Sequence, residues 1–390
     1  MITLQTAENA LKTVYLGVIG NQLNIGANPL LTKIKQTSNN IYGNEIRKAT
    51  SYGISGGVSA GSEDGDLPIA NSKQYVTFTS TLKNLFGTIE ISDKAIRCSQ
   101  NSAGAFVNLL NDEMESLIKS SAFNLGRMLY GDGRSVLATF NGEVATTDTE
   151  VIVDSVRNLM ENMTINVTNP GCVYYMPIDP FVILSIDRAN KKVKLNRAAG
   201  FNYNTYHMTT LTGLNKEITG LGKIFATTGT LYGVDKATNP WMIPYSKGSV
   251  GTLSETVMQE AIDSVEESTG AEIDYIACSS AVRRAYQDGL NTYRRNVDIM
   301  NLQGGFKAIS YNGIPLVNDR FVEDDTMYLL STKNFELCQL CDWEWLENND
   351  GRIIKQKEGK PVYTATLVKY AELLCDRPNA QAKLSGITIS

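Results

Sequence analysis

Few residues in this 390-residue chain are arranged as chemistry would require. Gly53-Ile54-Ser55-Gly56-Gly57 has the G-x-S-x-G spacing that lifts a nucleophilic serine onto a tight strand-to-helix turn. The residues that follow, VSAGSEDGDLP, cannot form the helix that this turn must lead into. The base would have to be His207, the one histidine in the chain. A serine hydrolase using Ser55 is therefore kept as an alternative, and a chance match within a Gly/Ser loop is favoured. Gly56 and Gly61 have phosphate-loop spacing, but Ser62 stands where the lysine belongs. Cys338-x-x-Cys341 is half of a zinc or redox signature, with no second pair to complete it. On a strand, positions i and i+3 face opposite ways, which suits neither role. Glu63, Asp64 and Asp66 lack the ligand order of a calcium hand and read as a solvated acidic tip. His207, within FNYNTYHMTT, reads as a hydrogen-bonded structural histidine. Arg294 and Arg295, within LNTYRRNVDIMNLQGG, suit a salt-bridging interface loop and a solvated loop equally.

The elements around these residues are easier to read than any chemistry in them. Leu4, Ala7, Leu11, Val14 and Val18 recur at helical spacing, and the Gly-, Asn- and Pro-broken stretch after them reads as an extended arm. NEIRKATSYGI, a Gly/Ser/acid centre and the alternating run from Tyr75 through Phe78 read as a long β-hairpin with a loose tip. A two-stranded ribbon is marginal alone in water, so this one is expected to lie against a partner. Residues 103–130 form the longest predicted helix, about 42 Å at 1.5 Å per residue, stopped by Gly131 and Gly133. Thr147–Glu150 matches a capping box, which predicts a helix through Ile152, Val156, Leu159, Met160 and Met163. Thr252–Glu255 matches a second, ahead of Val257, Ala261 and Val265. Strands are predicted at CVYYMP, FVILSI, IDYIACS, FKAISYNGIPLVND, TMYLLST, FELCQL, RIIKQK and YTATLVKY, with a further helix at 280–288. Helices and strands without a βαβ rhythm indicate an α+β fold.

Composition narrows the function. Hydrophobic residues make up 42% and charged residues 20%, which is ordinary globular usage. Lys plus Arg number 36 against 41 Asp plus Glu, a net charge of −5. This is a poor footprint for a dedicated nucleic-acid binder. No apolar run reaches the ~18 residues of a membrane span, and the N-terminus is not read as a secretory signal. A single histidine removes most His-based metal sites. No catalytic residue, metal or cofactor is expected.

The order of arm, Gly-rich extended loop, long helix and α+β body resembles the major capsid proteins of tailed bacteriophages, the Hong Kong 97 type of fold that encapsulins share. Gly313-Ile314-Pro315-Leu316-Val317-Asn318-Asp319 is similar to that family's G-x-P-[LV]-V-x-D passage between strands. VKYAELLCDRPNAQAKLSGI, residues 368–387, resembles its closing strand and tail. The resemblance implies an N-arm over 1–43, an E-loop hairpin over 44–95, and a P-domain with the spine helix over 96–135. It further implies a mainly A-domain segment over 136–325 and C-terminal strands over 326–390 that return to the P-domain. Loop 288–305, with Arg294 and Arg295, would be the axial loop.

The function implied is a subunit that self-assembles into pentamers and hexamers, forming an icosahedral head shell around double-stranded DNA without sequence-specific binding. Its place would be the virion, and the host bacterial cytoplasm during assembly, with no membrane involved. A scaffolding protein, a portal and decoration proteins are the implied partners. Because the arm begins near Met1, a separate scaffolding protein and no large cleavage are expected. Glu63, Asp64, Asp66, Lys73, Tyr75, Phe78, Arg294 and Arg295 are the expected contacts between copies. Lys73 with Asn348 or Asn349 would be the candidates for an inter-subunit isopeptide bond by location alone. An encapsulin-like compartment shell is the nearer alternative. For the Cys338/Cys341 pair, chelator and reductant are expected to leave the thermal midpoint unchanged; stoichiometric zinc by elemental analysis would contradict that reading.

Overall fold

The computed structural model describes residues 28–54, 56–66, 69, 72–94, 103–142, 147–173, 176, 179–198, 204–292, 299–301, 307–347 and 351–389. The predicted N-terminal helix and the first part of the arm lie outside them, as do Ser55, Arg294, Arg295, Asn348 and Asn349.

The helix Ala103–Tyr130 forms as its periodicity predicts. Leu117, Ile118, Ala122, Leu125 and Leu129 are buried at three- and four-residue intervals. Gly133 follows at φ +84°, a left-handed turn that a side chain would strain. The helix packs on the strand Lys83–Ser92, which is the edge of a five-stranded sheet. At the centre of that sheet is Val362–Cys375, paired antiparallel with Lys83–Ser92 on one side and with Phe335–Trp345 on the other. From Ala371 to Cys375 every residue of this strand is buried, the pattern of a strand covered on both faces. Lys35–Thr37 adds a short parallel strand beyond Phe335–Trp345.

Residues 136–210 form a separate six-stranded barrel. Val136–Thr139, His207–Thr210, Thr164–Thr168, Phe181–Asp187, Lys192–Leu195 and Glu150–Ile152 pair in that order, every pair antiparallel. The Phe140–Val153 bridge joins the first strand to the last. Asn141 N–H donates to the Ile152 carbonyl and Asp154 N–H to the Thr139 carbonyl, both at 3.0 Å. Closure leaves no free edge. Phe140, Val151, Val153, Val167, Phe181, Ile183, Val193 and Met208 fill the interior.

A seven-stranded mixed sheet forms the third unit, in the order Tyr245–Lys247, Ala382–Leu384, Met327–Leu330, Tyr275–Cys278, Ile314–Asn318, Lys307–Tyr311, Ile299–Asn301. Helices Glu255–Thr269 and Ser280–Thr292 pack on it. Ser254, and not Thr252 of the expected capping box, caps the first of them by accepting from Val257 N–H, and Gly270 ends it at φ +64°. Asn312 and Gly313, at φ +49° and +79°, make the tight turn of the adjoining hairpin.

Other expectations also differ from what is observed. The stretch after Thr147 is not a helix: Glu150–Ile152 is a strand, with Val151 buried and its two neighbours exposed. The β-branched Val-Ile-Val run satisfies a period of two as well as a helical one, and pairing with Lys192–Leu195 selects the former. Cys172 sits in a turn at φ +50° instead of a strand. Of RIIKQK only Lys355–Gln356 pairs. The segments implied by the resemblance also distribute themselves in detail: 136–325 fills the barrel core and contributes to both other cores, and 326–390 divides between two sheets. Met327–Leu330 and Ala382–Leu384 join the seven-stranded one, and Phe335–Trp345 and Val362–Cys375 the five-stranded one.

Asn28, the first described residue, is buried against the long helix and donates to the Ala122 carbonyl at 3.3 Å. Gly126 makes this approach possible, because a Cβ there would collide with Asn28 Oδ1 and with the Phe321 ring. Gly126→Ala is expected to destabilise the subunit by about 1–3 kcal/mol, the usual cost of overpacking, measured by urea unfolding.

Candidate assembly surface

The hairpin strands Glu45–Tyr52 and Gln74–Thr81 pair without interruption from Glu45–Thr81 to Tyr52–Gln74. Ile41–Tyr42 adds a short third strand at the near end. The two ends of this ribbon live in different surroundings. At the base, Ile46 and Phe78 have no exposed surface. The Phe78 ring lies 5.6 Å from Tyr232 and 6.5 Å from Trp241, and Trp241 also reaches the last pair of the strands, where Tyr52 stacks on it at 4.7 Å. Thr79 N–H donates to the Tyr232 carbonyl at 2.9 Å. Tyr232 Oη in turn donates to the Leu373 carbonyl at 2.9 Å and accepts from Cys375 N–H at 3.1 Å. Lys48 reaches both Glu336 and Asp376, each at 3.1 Å. Burial acts to lower the Lys48 pKa, but Asp376 and Glu336 outweigh it and hold the amine above its ordinary range. The base is thus bolted to the five-stranded sheet by rings, backbone and charge.

The tip is the opposite. The chain turns at Gly53, φ +71°. Ile54, Val58 and Ile69 are 87–90% exposed, and Tyr75 is 69% exposed. Glu63, Asp64, Asp66 and Lys73 are exposed with them. Of the expected contact residues, Glu63, Asp64, Asp66, Lys73 and Tyr75 are thus exposed at the tip end, and Phe78 is not. That residue is a correction: alternation along the strand turns it inward, onto Tyr232 and Trp241, so it cannot touch another copy. Arg294 and Arg295 lie outside the described residues. The exposed aliphatic side chains of the tip escaped sequence reading because Gly, Ser and acid residues dilute them. The stacking of Tyr52 on Trp241 joins residues far apart in sequence and has no local signal.

A groove of about 700 Å³ runs between Lys83–Ser92, the long helix and residues 210–217. Phe86 and Leu211 expose apolar surface there, and Lys83 and Lys216 line it. Beside it, Arg127 and Glu217 form a buried bidentate pair, Nη1–Oε2 2.8 Å and Nη2–Oε1 2.5 Å. His207 is hydrogen-bonded at both ring nitrogens, to Thr139 Oγ1 at 3.0 Å and to the Pro170 carbonyl at 3.1 Å, as a structural histidine should be. Cys338 is buried and Cys341 half-buried, and burial pushes the Cys338 thiol up to about 11. Among the described residues, no three His, Cys, Asp or Glu side chains gather as a metal site. No described helix is long and apolar enough to cross a membrane.

No protein-family model matches the sequence, and no curated protein does. Solved structures do match. The capsid asymmetric unit of cyanophage A-1(L) superposes with a TM-score of 0.55 over 97% of this chain and 95% of that one, at 12% identity. The capsid of the Myoviridae phage XM1 gives 0.49 over 93% and 92%, at 9% identity. The SrpI encapsulin of Synechococcus elongatus PCC 7942 gives 0.48 over 93% and 89%, also at 9%. The argument rests on the first of these. The chain has the fold of tailed-phage major capsid proteins, an α+β fold of the Hong Kong 97 type.

Arg127→Met would leave Glu217 as an unpaired buried charge. The expected loss is about 3–5 kcal/mol, the cost of breaking a buried pair from one side, read from denaturant unfolding. Replacing both partners, Arg127→Met with Glu217→Leu, should restore most of it.

Proposed function

We propose that this chain is the major capsid subunit of a tailed phage, assembling with its own copies into the pentamers and hexamers of an icosahedral shell around double-stranded DNA. The observation that carries this reading is the ribbon: its base is anchored in the subunit's own core, and its tip presents Ile54, Val58 and Ile69 to solvent. Full burial of such side chains is worth about 1.5–3 kcal/mol each. That is enough to offset part of the ordering cost of the tip, about 1–2 kcal/mol per residue of backbone, only if another copy covers them. The groove beside the long helix suits that tip: Phe86 and Leu211 offer apolar surface, and Lys83 and Lys216 complement Glu63, Asp64 and Asp66. Weak contacts of this kind sum over closed symmetry. Residues 288–305, with Arg294 and Arg295, are assigned to the contacts around the axes. Net acidity favours a shell that encloses DNA without clamping it. The role needs no catalytic group, and scaffolding, portal and decoration proteins are its proposed partners.

The test is electron microscopy and size exclusion of the purified protein, alone and with a co-expressed scaffolding partner. Capsomers or closed shells are expected; a monomer in both preparations, or one that turns over ester or phosphate substrates, contradicts the proposal. Packaged enzyme in place of packaged DNA would favour the compartment-shell alternative.

Because Tyr52 and Gln74 are paired, residues 53–73 can be replaced by an Asn-Gly turn without disturbing the register. The shortened subunit is expected to keep a wild-type melt by circular dichroism and to lose normal shell formation. Loss of the cooperative melt would place the tip in the core, and equally stable shells would remove it from the contacts.

A further inference from the structure

The subunit buries a carboxyl at the junction of its ribbon and its body, and no described lysine, arginine or histidine forms an ion pair with it. Glu372 lies on the strand Val362–Cys375 with no exposed surface. Its Oε1 accepts from Thr219 N–H at 2.6 Å and from Leu373 N–H at 3.0 Å. Its Oε2 lies 3.3 Å from Ser80 Oγ. Ser80 belongs to the base of the ribbon, where it pairs with Ile46. Thr219 precedes the short helix Leu221–Ile224. One carboxyl therefore touches ribbon, connection and central sheet at once.

These contacts accommodate either protonation state, and complete burial without an ion pair favours the neutral acid. The anion accepts from both N–H groups at Oε1 and from Ser80 O–H at Oε2; in the neutral acid the carbonyl oxygen keeps both N–H donors and the Ser80 bond reverses, the carboxyl hydroxyl donating to Ser80 Oγ. The anion must be held by two amides and a hydroxyl, without an ion pair from any described lysine, arginine or histidine. The neighbouring carboxylates are treated differently: Glu217 has Arg127, and Glu336 and Asp376 have Lys48.

We propose that Glu372 is a proton-held latch: protonated, it fixes the base of the ribbon to the body of the subunit, and ionised, it loosens that attachment. Burial pushes the pKa up from its ordinary 4.5 to about 7, against the opposing effect of the amide donors, Lys83 and the Ser80 hydroxyl. A raised carboxyl holds a proton in the folded state that the unfolded chain has released. Its contribution is therefore full below pH 4.5 and is lost as pH rises through 7. The other titratable groups facing it are Lys83 from the adjoining strand, Cys338 from the paired strand and Tyr232 from the loop under the ribbon. Burial pushes Cys338 up to about 11 and Tyr232 well above its ordinary range, so neither changes charge near neutrality.

Amide hydrogen exchange of the unassembled full chain tests the proposal. Peptides covering 41–54 and 72–82 are followed at pH 6, 7 and 8, corrected for intrinsic exchange, with peptides covering 275–278 as the control. Opening of the ribbon base is expected to rise by about tenfold from pH 6 to 8, following the ionised fraction, while the control stays level. Glu372→Gln keeps the carbonyl and replaces the hydroxyl donor by an amide donor. It should hold the ribbon at the pH 6 level throughout. A wild-type profile that is flat, a control that rises in parallel, a Glu372→Gln profile like the wild type's, or a Glu372→Gln chain that fails to fold would each overturn the latch.

Discussion

Val362–Cys375 is the strand from which the rest of the subunit hangs. Lys83–Ser92, which continues the ribbon into the body, pairs with it from Ser92–Val362 to Lys83–Ala371. Phe335–Trp345 pairs with its other edge, with register shifts on either side of Cys341. Its far end receives Tyr232 from the loop under the ribbon, and Asp376 just beyond receives Lys48. With both edges paired and its faces covered, this strand has no freedom to slip, because a one-residue shift would turn each buried side chain to the wrong face. Everything that must be placed accurately, including the angle at which the ribbon leaves the body, is referred to it.

Polar groups buried around that strand mark the junctions between units. Lys369 has no exposed surface; burial lowers its pKa, and its amine is held by Gln339 Oε1 at 2.7 Å and Asp342 Oδ1 at 2.6 Å. Lys236, also buried, donates to the Ile224 carbonyl at 2.6 Å and to the Ala226 carbonyl. Such groups add little net stability over apolar ones, but they penalise any arrangement that leaves them unpaired. They make the joints specific, while the three apolar cores supply the burial. The proposed shell role would call for both, because an error in the ribbon's angle would be repeated in every copy.

The ribbon also illustrates how one element can be split between two purposes. Its base behaves as core, with Phe78 sealed against two aromatic rings, and its tip behaves as an unsatisfied surface. The sequence alternation is the same along much of its length. What changes is that Tyr232 and Trp241 lie beneath the paired strands as far as Tyr52, while Ile54, Val58 and Ile69 beyond them stay exposed.

Local patterns determined a good deal by themselves. The helix Ala103–Tyr130 and the hairpin strands are each specified by residues within a few positions of one another, so they were legible without the fold. The acidic, exposed tip was legible for the same reason. Closure of the barrel was not, because it rests on Phe140 meeting Val153, and the short Val-Ile-Val run satisfies helical and strand periods alike. Nor were the inward turn of Phe78, the Arg127–Glu217 pair or the place of Glu372. Each depends on a partner 90 or more residues away. Composition and period decide which faces of the elements are apolar; only the tertiary structure decides which apolar faces meet, and therefore which polar groups are stranded between them.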